Sequence, residues 1–145
     1  MRHLNRILLC SALASLLALG GCTKAVDVSG TWAGSASGQN AGRTGTSNVD
    51  ANFQGSRRGF TGTLTWHNSA GPWGLMDGNT LTIPNGTVSG SKVSFQANGN
   101  IPGGTVLLNF KGTVEGNTLK GEADLTVGSV MGGDTYIGDM ELTKK

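Results

Sequence analysis

Cysteine, proline and histidine are scarce in this sequence, and each scarcity removes a class of chemistry. Cys10 and Cys22 are the only cysteines among 145 residues. From Thr23 onward the chain therefore has neither a disulfide nor a thiol-based site. His67 is the only histidine beyond His3, so a catalytic triad or a His-rich metal centre lacks its usual members. Proline occurs three times against 25 glycines. One long apolar run exists, from Ile7 to Leu19, and no later stretch repeats apolar residues with the 3.6-residue period of a helix.

That single run follows Arg2 and Arg6 and is shorter than the ~20 residues a membrane-spanning helix needs. It ends in Leu19-Gly20-Gly21-Cys22. This tetrapeptide resembles the lipobox of bacterial lipoproteins, with Gly20 where Ala or Ser is commoner. The resemblance implies a signal peptide over 1–21, removed on export, and a lipidated Cys22 as the first mature residue. Residues 22–27 would be a short tether and 28–145 the folded domain. Several acyl chains anchor a protein stably, whereas one does so only marginally. Thr23, in the place where Asp would retain such a protein, implies the outer membrane in a host that has one. Without Arg2 and Arg6, nine basic residues face nine acidic ones. A neutral domain with no basic stripe gives no reason to expect nucleic acid as a partner.

What the remaining chain does contain is alternation. Val49, Ala51 and Phe53 interleave with Asn48, Asp50 and Asn52, and Phe60, Leu64 and Trp66 with Thr61, Thr63, Thr65 and His67. The same period recurs over Val93–Asn98, Val106–Val114, Leu119–Val127 and Tyr136–Thr143, and in the first run from Val26 to Ser35. One apolar and one wet face per strand is the signature of an antiparallel sheet. Seven connections rich in Gly, Asn, Asp or Ser imply eight strands: 37–43, 55–58, 68–79, 89–92, 98–103, 115–118 and 128–134. Eight hairpin-linked strands predict an all-β, up-and-down antiparallel barrel, because closure removes both exposed edges. A two-sheet sandwich is the rival architecture.

Gly30-Thr31-Trp32 resembles the Gly-x-Trp signature of lipocalins and related calycin barrels. The resemblance implies that Trp32 plugs the closed end under a basic residue of the last strand, here Lys144 or Lys145. Small bacterial envelope proteins of lipocalin-like fold show the same Gly-Thr-Trp strand followed by Gly-Thr-Val hairpins. Avidins share the opening strand but line the biotin site with later tryptophans, and none follows Trp73 here.

Candidate chemistry is thin, and the sequence predicts a binding protein without cofactor, metal or catalytic site. His67 with Asp77 is the least poor catalytic pair. A last hairpin centred near Met131 would put Glu122 near Glu141 and Asp124 near Asp139, with Lys111 beside Glu122. Neither glycine-rich stretch, 99–104 nor 128–133, precedes a helix, so neither cradles phosphate. Arg57-Arg58 in a tight turn is either a solubilising device or a contact for anionic headgroups. The longest connection, 68–79, carries Trp73, Leu75 and Met76, and apolar residues on a loop need burial somewhere. Two functions follow. In the first, the barrel holds a small, largely apolar ligand, with Trp32 as floor, Phe53, Trp66, Phe95, Phe110, Tyr136 and Met140 as walls, and Trp73 and Leu75 as lid. In the second, the 68–79 loop docks on a partner protein, an envelope hydrolase being one example. An empty interior favours the first and a solid one the second.

Overall fold

The computed structural model describes residues 24–129 and 131–145. The signal segment and Cys22 lie outside the described residues. Eight strands follow in order: β1 Gly30–Asn40, β2 Arg43–Gly55, β3 Gly59–Ala70, β4 Thr80–Ser89, β5 Lys92–Ile101, β6 Gly104–Glu115, β7 Thr118–Ser129 and β8 Gly132–Lys144. Each pairs antiparallel with its sequence neighbours, and β8 closes on β1 from Trp32↔Lys144 to Gln39↔Ile137. The sheet is thus a closed up-and-down barrel, not a sandwich. Burial alternates along the strands, with apolar side chains inside and Thr, Asn, Gln and charged residues outside. The ladder closes within Gly30–Lys144 and the core within Val28–Leu142. Both the closed ladder and the core it encloses thus lie within residues 24–145.

The strands outrun their apolar signal. The first connection shrinks from 37–43 to the two residues Ala41 and Gly42, both at positive φ, as a tight hairpin turn requires. Inward positions on either side of that turn include Gly38 and Gly45, which carry no apolar side chain to mark them. Val26 and Val28 belong not to β1 but to a segment that crosses one end of the barrel. There the Val26 amide donates to Gly90 O (2.9 Å) and Val28 is buried. Asp27 accepts from the amide and hydroxyl of Ser29 (2.9 and 2.6 Å), turning the chain upward into β1. Those hydrogen bonds hold the exposed Asp27 carboxyl below its usual range.

Two ends of different character result. The N-terminal segment, the turns at 56–58, 90–91 and 116–117, and the end of β8 gather at the N-terminal end. The turns at 41–42 and 102–103, the β7–β8 hairpin and the β3–β4 connection gather at the distal end.

Candidate functional site

The long connection expected over 68–79 is structured. β3 runs on to Ala70, and Gly71–Met76 form a 3-10 helix. Three local features aim this helix across the barrel mouth. First, β2 and β3 slip register between Thr46↔Ala70 and Asn48↔His67, so β3 carries an extra residue there. Asn68 sits at that bulge with φ 51, a conformation Asn tolerates better than most residues. Second, Ser47 fills the disturbed ladder. Its hydroxyl bonds His67 O (3.1 Å), Asn48 O (2.9 Å) and the Ser69 hydroxyl (2.7 Å), and it is buried although polar. Third, Gly71 at φ 63 reverses the chain and Pro72 opens the helix.

A 3-10 helix places residues three apart on one face. Trp73 and Met76 accordingly point inward, each 1% exposed, and Leu75 points outward at 59%. The lid expected of Trp73 and Leu75 together is therefore split: Trp73 is a plug and Leu75 is surface. Trp73 stands edge-on to Trp66 (5.6 Å, 87°) and to Tyr136 (6.0 Å, 83°). Its ring lies against Gly38 and Gly45. A Cβ at Gly45 would sit 2.5 Å from Trp73 Cδ1 and Cδ2, and one at Gly38 would sit 2.8 Å from Cζ2. Glycine at these inward positions does not leave empty space; an aromatic ring fills it.

The half toward the N-terminal end is packed in the same way. Phe53 meets Trp32 (6.2 Å), Phe60 (5.0 Å) and Phe95 (5.9 Å), and Phe95 stacks on Phe110 (4.9 Å, 24°). Gly86 is covered by the Phe60 ring, 2.5 Å from where a Cβ would stand. Trp32 Nε1 donates to Val28 O (2.8 Å), and Lys144 Nζ sits 5.7 Å over the Trp32 ring. Trp32, Phe53, Trp66, Trp73, Phe110, Tyr136 and Met140 are all at most 2% exposed, and Phe95 is close behind at 5%. A void wide enough for a ligand would leave accessible surface on its lining. These side chains line one another instead.

Two polar atoms interrupt this dry core. The indole N–H groups of Trp66 and Trp73 are buried without an acceptor among the described residues. Such orphaned donors are uncommon in folded interiors.

The remaining sequence candidates resolve as follows. His67 Nε2 lies 3.1 Å from Asp50 Oδ2, not beside Asp77, whose Oδ1 accepts from the Ser69 amide (3.1 Å). Lys145 Nζ binds the other Asp50 oxygen (3.1 Å), and that bond and charge hold the Asp50 carboxyl below its usual range, with His67 adding to the effect. The β7–β8 hairpin pairs Ser129 with Gly132, which shifts the acidic register by two residues from the expected one. Glu122 therefore faces Asp139, while Lys120 faces Glu141 at 3.6 Å. A two-residue shift keeps every side chain on its own face, which is why alternation did not reveal it. Lys111 does stand opposite Glu122. No group of three or more His, Cys, Asp or Glu among the described residues could hold a metal ion.

At the distal end a surface groove of about 500 Å³ lies between the 3-10 helix and the β7–β8 hairpin. Its walls include Pro72, Met131 and the Arg43–Asp134 ion pair (3.1 Å), and Tyr136 forms part of its floor. Met131 is 97% exposed. No family model, curated protein or solved structure matches the chain.

Proposed function

We propose that this protein is a non-catalytic envelope module, tethered by lipid at Cys22, that docks a partner protein on its distal end. The solid interior supports this reading, because side chains of the strands and of the 3-10 helix occupy the space a ligand would take. Leu75 on the 3-10 helix and Met131 on the β7–β8 hairpin supply exposed apolar area, the groove lined by Pro72 and Met131 supplies shape, and the Arg43–Asp134 pair supplies a polar rim. A central apolar anchor with a charged surround is the usual anatomy of a specific protein interface. Inhibition of an envelope hydrolase is the narrower form of the proposal.

A second reading rests on the orphaned indoles. A small apolar molecule carrying one hydrogen-bond acceptor would satisfy Trp66 and Trp73 if the 3-10 helix lifted and withdrew Trp73. Binding would then have to overcome the loss of the Trp73 packing.

One experiment separates the two. A photo-crosslinking residue at Leu75, compared with one at Ser94 on the outer wall, is placed in the full-length protein in its host. The soluble 24–145 form is titrated in parallel with fatty acids while tryptophan emission is followed. A discrete adduct from position 75 alone, abolished by Met131→Asp, with a flat titration, is the expected result. Saturable quenching at micromolar fatty acid without an adduct would transfer the function to the interior.

A further inference from the structure

The domain is neutral as a whole, yet its charges are not mixed. Lys24, Arg57, Arg58, Lys92, Lys144 and Lys145 all lie at the N-terminal end, in the N-terminal segment, the β2–β3 turn, the start of β5 and the end of β8. Asp27 and Glu115 oppose them there, and Asp50 on the wall pairs with Lys145 (3.1 Å). The distal end carries Arg43 against Asp77 and Asp134, and the other charges lie along the wall. Among the described residues, no carboxylate lies within 4 Å of Lys24, Arg57, Arg58 or Lys92. Their proximity in space is visible at Asp27, which feels the charges of both Lys144 and Arg57. All the exposed large apolar side chains of the described residues (Leu75, Leu107, Met131 and Ile137) lie on the wall or distal end, and none on this rim.

We infer that the basic rim is a seat for an anionic lipid surface, on which the barrel stands with its distal end outward. The orientation rests on the tether proposed above; the charge of the rim does not. Val26 is pinned to Gly90, so Cys22 is at most ~14 Å of extended chain from the barrel's end. Lys24, two residues from Cys22, can lie no more than ~7 Å from the lipidated residue. At physiological ionic strength the Debye length is about 8 Å, so Lys24 lies within the range of headgroup charge and the barrel's end within about two Debye lengths of it. The net excess of cations on one end also gives the neutral molecule a dipole that turns this end toward an anionic surface. With no apolar side chain on the rim to insert, binding depends on charge alone.

The test uses the soluble 24–145 form, which lacks the lipid and so reads the rim independently of Cys22. Cosedimentation is measured with vesicles of phosphatidylcholine alone and with vesicles containing one-third phosphatidylglycerol. Binding to the anionic vesicles only, lost in 0.5 M NaCl, is expected. Arg57→Gln/Arg58→Gln should weaken the partition roughly 25-fold, at about fivefold for each cation brought to the surface. Both side chains are exposed, and Arg58 is held through its backbone alone, its carbonyl accepting from the Val88 amide (3.1 Å) and its amide donating to Ser56 Oγ (3.4 Å), so the fold should be retained. Lys111→Gln removes one cation ~13 Å up the wall and should change binding less than twofold. Equal binding to neutral vesicles, equal sensitivity to Lys111→Gln, or no binding at all would each overturn the inference. So would a preference for an anionic polysaccharide or nucleic acid over the vesicles.

Discussion

Replacing Gly45 by Ala adds one methyl group to the barrel's inner wall, and the structure gives the consequence of that methyl. Gly45 is not in the left-handed region, so its backbone accepts alanine without strain. The obstacle is Trp73 alone: the three nearest atoms to the new Cβ are all in its indole. Carbon atoms rest at about 3.5–4.0 Å, so a ring now 2.5 Å away must lift by at least an ångström. Overpacking of this kind costs about 1–3 kcal/mol. Trp73→Ala alone should cost about 3 kcal/mol, the low end of the range for a large aromatic. It deletes an orphaned N–H whose burial is itself unfavourable by about 1–3 kcal/mol. In the double variant the new methyl enters space the indole has vacated, so Gly45→Ala should then change stability by less than about 0.5 kcal/mol. The coupling energy is therefore about 1–3 kcal/mol, read from urea midpoints at constant m-value. If Gly45→Ala is equally destabilising in both backgrounds, Trp73 does not rest on Gly45 and the plug is wrong.

Other outcomes follow from the outer surface and the tether. Asp139→Lys turns the Glu122–Asp139 like-charge pair into an opposite pair and should stabilise the barrel by about 0.5–1 kcal/mol at low salt, an increment that 1 M NaCl removes in urea titrations. The Asp50 carboxyl is depressed in the folded state, so its contribution is complete above its unfolded value of about 3.9 and fades as pH falls through the folded value. Asp50→Asn should therefore lower stability at pH 6 by less than about 1 kcal/mol, since both partners are about half exposed, and converge with the parent near pH 2. A gap that persists at pH 2 would assign the loss to something other than charge. Metabolic labelling with palmitate should mark the full-length protein and vanish in Cys22→Ser; label retained in that variant would remove the tether.

The barrel was legible because its evidence is redundant. Seven runs share one period, the connections between them carry turn residues, and a one-residue slip anywhere would expose a whole apolar face. The interior was harder to read, since inward glycines such as Gly38, Gly45 and Gly86 suggest space when listened to singly. They are small because Trp73 and Phe60 cover them, and those rings come from 28 and 26 residues away in sequence for Gly45 and Gly86. The acidic register was hidden for a different reason, a two-residue shift being silent in a two-residue period.

The 3-10 helix marks the boundary between these cases. Trp73 and Met76 stand three apart and Leu75 does not fit their spacing, so the inward pair and the outward leucine were already separable had the segment been taken as helical. What withheld that reading was its cause, which lies outside the segment. The bulge at Asn68 and the Ser47 hydroxyl that fills it set the angle at which β3 leaves the sheet. That angle decides whether Pro72 starts a helix over the mouth or an open loop beside it. The same bulge thereby buries Trp73 and turns Leu75 outward, so the closing of the interior and the creation of an exposed apolar tip are one structural event.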